Sequence, residues 1–125
     1  MSLVKSTPDP TDVTALLPLP PATFHILLAL AAGDRHGYGI IQDVETRTDG
    51  ALRLSPGTLY RTIQRLLEQG LIVEPKRRPD PLDDPRRRYY RITLFGTAAA
   101  RAETRRLTQL VRLAKGVGFL TPEPT

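Results

Sequence analysis

A chain of 125 residues, 40% apolar and 25% charged, has room for one packed domain and not for two, and no run in it approaches the roughly 18 apolar residues of a membrane span. The absence of cysteine excludes disulfide frameworks, thiolate zinc sites, iron–sulfur clusters and cysteine nucleophiles. The net charge of +5 is unevenly spread, at −2 over residues 1–54, 0 over 55–75, +4 over 76–91 and +3 over 92–125, and fifteen of the eighteen basic residues are arginine, whose planar fork suits phosphate and guanine. A polyanionic partner is therefore expected. With no basic-then-apolar leader pattern at the N-terminus, so is a soluble, cytoplasmic protein without a membrane partner.

Residues 1–21 carry Pro8, Pro10, Pro18, Pro20 and Pro21, which forbid a continuous helix and predict an extended arm, with Val13, Leu16 and Leu17 available for packing. From Ala22 to Ala32 the chain is almost wholly apolar, as in a buried helix, and Gly33-Asp34 stops it. A second helix is predicted from about Gly39 to Thr48, with Ile40, Ile41 and Val44 on one face and Asp43, Glu45 and Arg47 outside. Asp49-Gly50 marks its end.

Ser55-Pro56-Gly57-Thr58 is the strongest helix start in the chain. Ser55 suits the N-cap and Pro56 the first helical position, where its missing N–H costs nothing, and Gly70 closes the helix. At 100° per residue, Leu59, Ile63, Leu66 and Leu67 fall on one side, Gly57, Thr58, Arg61, Gln64 and Arg65 on the other, with Tyr60 at the border. A small residue beside arginines and a glutamine is the set that reads base edges in a major groove.

Leu71 to Glu74 and Arg86 to Thr93 read as an antiparallel hairpin, and the prolines at 79, 81 and 85 keep the intervening loop out of the ladder. With Ile92 inward, Tyr90 and Arg88 share its face while Arg87, Tyr89 and Arg91 take the other; Arg87, nearer the tip, is better placed than Arg91 for an outside contact. Beyond Thr93, Ala100, Leu107, Leu110, Ala114 and Val117 form the apolar seam of one long helix, which Glu103 interrupts and Gly116 and Gly118 end. A lone helix of about 24 residues with such a seam needs a partner, and a second copy is expected along Leu107, Leu110, Val111, Ala114 and Val117.

The fold expected is thus mainly α with a small β-hairpin: an arm over 1–21, a winged helix-turn-helix over 22–93, a C-terminal dimerisation helix over 94–118 and a tail over 119–125. Gly37-Tyr38-Gly39 lacks the strand and third glycine of a phosphate-cradling loop. His36 suits a cap for the second helix, and His25 belongs to the apolar first helix. Two histidines without cysteine give too few strong metal ligands, and no nucleophile, base and orienting group can be assembled. No catalytic residue, metal or cofactor is expected.

His36-Gly37-Tyr38-Gly39-Ile40, Leu54-Ser55-Pro56-Gly57-Thr58-Leu59-Tyr60, Leu66 through Gly70-Leu71-Ile72, and Arg88-Tyr89-Tyr90-Arg91-Ile92-Thr93, in that order, resemble the PadR family of bacterial transcriptional regulators over roughly residues 20–115. The resemblance implies a homodimeric winged-helix repressor of the short subclass, with a single dimerisation helix, that binds a pseudo-palindromic double-stranded DNA operator. It places DNA contacts on Ser55, Gly57, Thr58, Tyr60 and Arg61, and on the wing at Arg86, Arg87 and Arg88; Gln64 and Arg65 join them from the outward helix face. It also implies release by a small apolar or phenolic inducer held between the last helix and the winged domain. Two departures are the proline-rich, acidic wing loop and the lack of tryptophan, an aromatic platform in some members. The alternative is a winged-helix protein-interaction module without DNA binding, which would not need seven basic residues within 76–91.

Overall fold

The computed structural model describes residues 12–121. Five helical and strand segments build the domain around α1 (Pro21–Ala31): β1 (Arg35–His36), α2 (Gly37–Arg47), α3 (Pro56–Glu68), β2 (Ile72–Val73) and β3 (Tyr89–Ile92). The helix α4 (Leu94–Gly116) then leaves it. Pro21 opens α1 one residue before the predicted start, and the helix buries Ile26, Leu27, Ala29 and Leu30 against α2, α3, α4 and β3. Ile40, Val44, Leu59, Ile63, Leu66, Leu71, Ile72 and Tyr90 complete the core.

The hairpin is part of a three-stranded antiparallel sheet of order β1-β3-β2, paired at Arg35↔Tyr90, His36↔Tyr89, Ile72↔Ile92 and Val73↔Arg91. The sequence pattern misses β1 because two polar residues have no strand signature; the free edge of β3 supplies the pairing. Arg86, Arg87 and Arg88, predicted to begin the second strand, lie instead in the loop before β3.

The arm also differs from its expected extended form. Thr14–Leu16 wind into a 3-10 turn, and Asp12 before it accepts hydrogen bonds from the Thr14 N–H at 2.9 Å and the Thr14 hydroxyl at 2.7 Å. Val13, Leu16 and Leu17 pack on the core and Leu19 is buried; the expectation for residues 1–11 lies outside the described residues. Glu103 adds a polar tie to this apolar packing. Far from interrupting the α4 seam, it is buried on it, accepting from the Leu19 N–H at 3.2 Å and from Arg106 at 2.8 and 2.7 Å, and the Arg106 contact keeps its carboxyl below the ordinary range.

Thr93 joins sheet to α4. Its hydroxyl accepts from the Gly96 N–H at 3.0 Å and donates to the Gly70 carbonyl at 2.7 Å. The helix lies so close to the entry of β2 that a methyl group on Gly96 would overlap the Leu71 carbonyl oxygen and come within 2.9 Å of Ile92 Cγ1. Gly96→Ala is expected to cost about 2 kcal/mol or more through backbone displacement. Gly116→Ala, where nothing stands within 4 Å, should be neutral or slightly stabilising. Paired thermal melts check the contrast.

Candidate nucleic-acid interface

Helix α3 starts where predicted: the Ser55 hydroxyl accepts from the Thr58 N–H at 3.2 Å and donates to Thr58 Oγ1 at 3.1 Å, with Pro56 at the first helical position. Leu59, Ile63 and Leu66 are buried, and so is Thr62, whose hydroxyl donates to the Thr58 carbonyl at 2.8 Å. With that side anchored, Gly57, Arg61, Gln64 and Arg65 face outward, Thr58 is half-buried, and Tyr60 is 51% exposed. Gln64 donates to Glu68 at 3.3 Å, while Arg61 and Arg65 meet no carboxylate among the described residues.

In the wing loop, two acidic residues organise the basic ones. Asp84 takes the fork of Arg86 at 3.1 and 3.0 Å, and Asp83 takes Arg87 at 3.2 Å and the Tyr89 hydroxyl. Both carboxyls are held below the ordinary range, Asp83 chiefly by Tyr89 and Asp84 chiefly by Arg86. Arg78 bonds the Asp84 carbonyl, lies 3.9 Å from Asp83 and stacks over the Tyr89 ring with 5.7 Å to the centroid. Of the three predicted wing contacts, only Arg88 lacks an acidic partner among the described residues. Arg91 is bound to Asp34 through contacts at 2.7, 3.1 and 3.2 Å, tying β3 to the turn after α1.

Tyr60 and the three wing arginines share a cleft of about 310 Å³ with His36, Gly37, Tyr38 and Tyr90. Gly37 permits this closure, because any Cβ there would collide with the Tyr60 hydroxyl and stand 2.9 Å from Cζ. His36 caps α2 as the sequence suggests, Nδ1 accepting from the Gly39 N–H at 3.1 Å, and its ring meets Tyr89 edge-on at 5.4 Å. Burial, then the Arg87 charge, lower its pKa, so the ring is neutral at pH 7. The sequence pattern did not single out Tyr38, which is 60% exposed; an aromatic residue just past a helix cap, between glycines, was the available signal.

Along α4, Gly96, Ala99 and Glu103 are buried in the domain, and the same face continues at steps of three and four as Leu107, Leu110, Ala114 and Val117. Leu107 and Ala114 are half-buried; Leu110, Val111 and Val117 are exposed, as are Leu113, Phe119 and Leu120, which the predicted seam omitted. Between α1, β3 and α4 lies an apolar groove of about 560 Å³ lined by Leu28, Ala31, Ile92 and Ala100, with Arg101 and Arg105 beside it. Its α4 side runs from Thr97 to Arg105, nearer the domain than the apolar residues from Leu107 onward. Among the described residues no His, Asp or Glu cluster could hold a metal ion, and no helix is long and apolar enough to cross a membrane.

Residues 26–102 match the model of the transcriptional regulator PadR-like family. The chain is 38% identical over 92 residues to transcriptional regulator Rv3488 of Mycobacterium tuberculosis, covering 74% of this chain and 80% of the relative. A transcriptional regulator from Clostridium thermocellum has a similar structure, with a TM-score of 0.65 and 26% identity, covering 76% of this chain and 87% of that one. A PadR family transcription regulator from Clostridium difficile R20291 shares the fold, with a TM-score of 0.66 at 20% identity, over 78% of this chain and 98% of that one.

Because the Ser55 hydroxyl satisfies an otherwise open N–H of α3, Ser55→Ala is expected to cost about 1 kcal/mol and lower the melting temperature by about 4 °C. Ser55→Asp, which restores a capping oxygen, should recover most of the loss in the same melts.

Proposed function

The chain belongs to the PadR-like family of transcriptional regulators, and on that premise we propose that it is a dimeric repressor of a pseudo-palindromic operator. It is a DNA-binding regulator and not an enzyme. The observation that supports the finer reading is the exposed face of α3, where Arg61 and Arg65 have no carboxylate partner among the described residues, beside a wing that carries Arg86, Arg87 and Arg88. A helix anchored on one side by Leu59, Ile63 and Leu66 enters a major groove with its other side, so that Ser55, Gly57, Thr58, Tyr60, Arg61, Gln64 and Arg65 meet the duplex. The wing arginines meet the adjacent backbone.

Two such helices must be spaced about one turn, roughly 34 Å, apart to meet successive grooves on one side of the duplex. The unpartnered half of α4 supports pairing with a second copy along Leu107, Leu110, Val111, Ala114 and Val117, since exposed apolar side chains at helical spacing gain about 25 cal/mol per Å² when covered. A small apolar or phenolic inducer suits the groove between α1, β3 and α4, with Arg101 and Arg105 available to an acidic group. It releases DNA only by favouring the dimer geometry that does not bind, because equal affinity for both forms shifts nothing.

A gel shift with the chain's own upstream DNA tests the reading. If each subunit neutralises about four phosphates, log K falls against log salt with a slope near −7. Arg61→Ala should lower operator affinity by about 1–3 kcal/mol and relax one base position, as expected of an arginine on guanine O6 and N7. Absence of duplex binding at about 50 mM salt would favour the protein-interaction module instead.

Leu110→Glu would place an unpaired charge in the dimer seam and is expected to yield monomers with weakened DNA binding. Sedimentation checks it, and a variant that still runs as a dimer would remove α4 from the interface.

A further inference from the structure

We propose that the cleft between α2 and the wing seats one phosphate group of the DNA backbone, and that His36 is one of its hydrogen-bond donors. The inference rests on the DNA-binding reading above and adds to α3 a second, sequence-independent contact built from the His36 side chain, the wing and two tyrosines.

Hydrogen-bond accounting at His36 carries the argument. A neutral imidazole has one N–H. Nδ1 accepts from the Gly39 N–H at 3.1 Å, so the proton is on Nε2. Nε2 lies 3.1 Å from Arg87 Nη1, a group that only donates. Nη1 donates to Asp83 at 3.2 Å on its other side, which leaves an N–H of Arg87 and the N–H of His36 facing each other with no acceptor between them among the described residues. Two donors arranged this way are satisfied together by one anionic oxygen.

The surroundings specify the anion. Tyr38, Tyr60 and Arg88 also line the cleft, the tyrosines offering hydroxyl donors and Arg88 a cation with no carboxylate partner among the described residues. The positive end of the α2 dipole adds to them. Asp83 and Asp84 offset part of the charge of Arg87 and Arg86, and neither lines the cleft. This donor-rich, acceptor-poor lining fits a tetrahedral phosphate. A backbone phosphate is the source favoured by position, since Tyr60, which lines the cleft, directly precedes Arg61 on the outward side of α3.

His36→Asn separates the cap from the donor, because asparagine caps helices well but has no counterpart of Nε2–H at that reach. Fluorescence anisotropy on operator and scrambled duplexes should show about tenfold weaker binding to both, with their ratio unchanged, the size expected for a hydrogen bond to a charged group. Tyr38→Phe, which removes only an exposed hydroxyl, should weaken both duplexes in the same direction. In a set of operators each carrying one uncharged methylphosphonate, one position should weaken wild-type binding and weaken the His36→Asn protein by a smaller factor. Wild-type affinity in both variants would overturn the proposal. So would saturable binding of inorganic phosphate to the DNA-free protein, seen at the His36 ring by NMR, together with an unchanged duplex affinity in His36→Asn. Failure of the unmodified protein to bind any duplex is a different result, which removes the DNA-binding reading itself.

Discussion

Everything in this domain is arranged by the need to enclose α1. Its residues from Ala22 to Leu30 are apolar but for Thr23 and His25, and Ile26, Leu27 and Leu30 are sealed from solvent; each such side chain is worth about 1.5–3 kcal/mol only when covered on all sides. The other helices and β3 provide the cover. In doing so α3 turns Leu59, Ile63 and Leu66 inward and leaves Gly57, Tyr60, Arg61, Gln64 and Arg65 exposed. The exposed arginine face is thus the other side of a packing requirement.

Electrostatics then sorts the arginines. Asp34 holds Arg91, Asp43 bridges Arg35 at 3.1 Å and Arg47 at 2.6 Å, and Asp83, Asp84 and Glu103 hold Arg87, Arg86 and Arg106. Apart from the pair at the buried Glu103, ion pairs of this kind, screened by solvent, contribute little stability. Their effect is positional. They fold the wing loop, which the prolines at 79, 81 and 85 remove from the ladder, onto itself, and at the candidate interface they leave Arg61, Arg65 and Arg88 without a carboxylate partner among the described residues. Because each pair is weak, a phosphate can take over an arginine without a large free-energy cost.

The helix α4 links the two ends of the molecule. At about 1.5 Å per residue its 23 residues span about 34 Å, and the domain covers only the first half. Gly96 sets how closely that half docks, Glu103 ties it to the arm through Leu19, and Ala100 and Thr104 line the apolar groove. A ligand in that groove would therefore act on the element that, in the proposed dimer, sets the spacing of the two α3 helices, which is the geometric requirement for coupling a small molecule to DNA.

Local chemistry legible in the sequence accounts for most of the elements and for the face of α3. The Ser55 cap with Pro56, the His36 cap, the stop at Gly70 and the periods of the apolar residues are each decided within a few residues, where backbone hydrogen bonding and side-chain spacing suffice. Three things were settled only by the folded chain. The polar pair Arg35–His36 became a strand because β3 had an open edge. Glu103, a charge set in an apolar seam, became a buried anchor because the Leu19 N–H arrives from the arm to join Arg106, three residues along α4, in satisfying it. The cleft exists because Tyr60, Gly37 and the wing arginines, distant along the chain, are drawn together by α1. Pairings of this kind depend on which groups lie opposite one another in space, a property that no local pattern of residues contains.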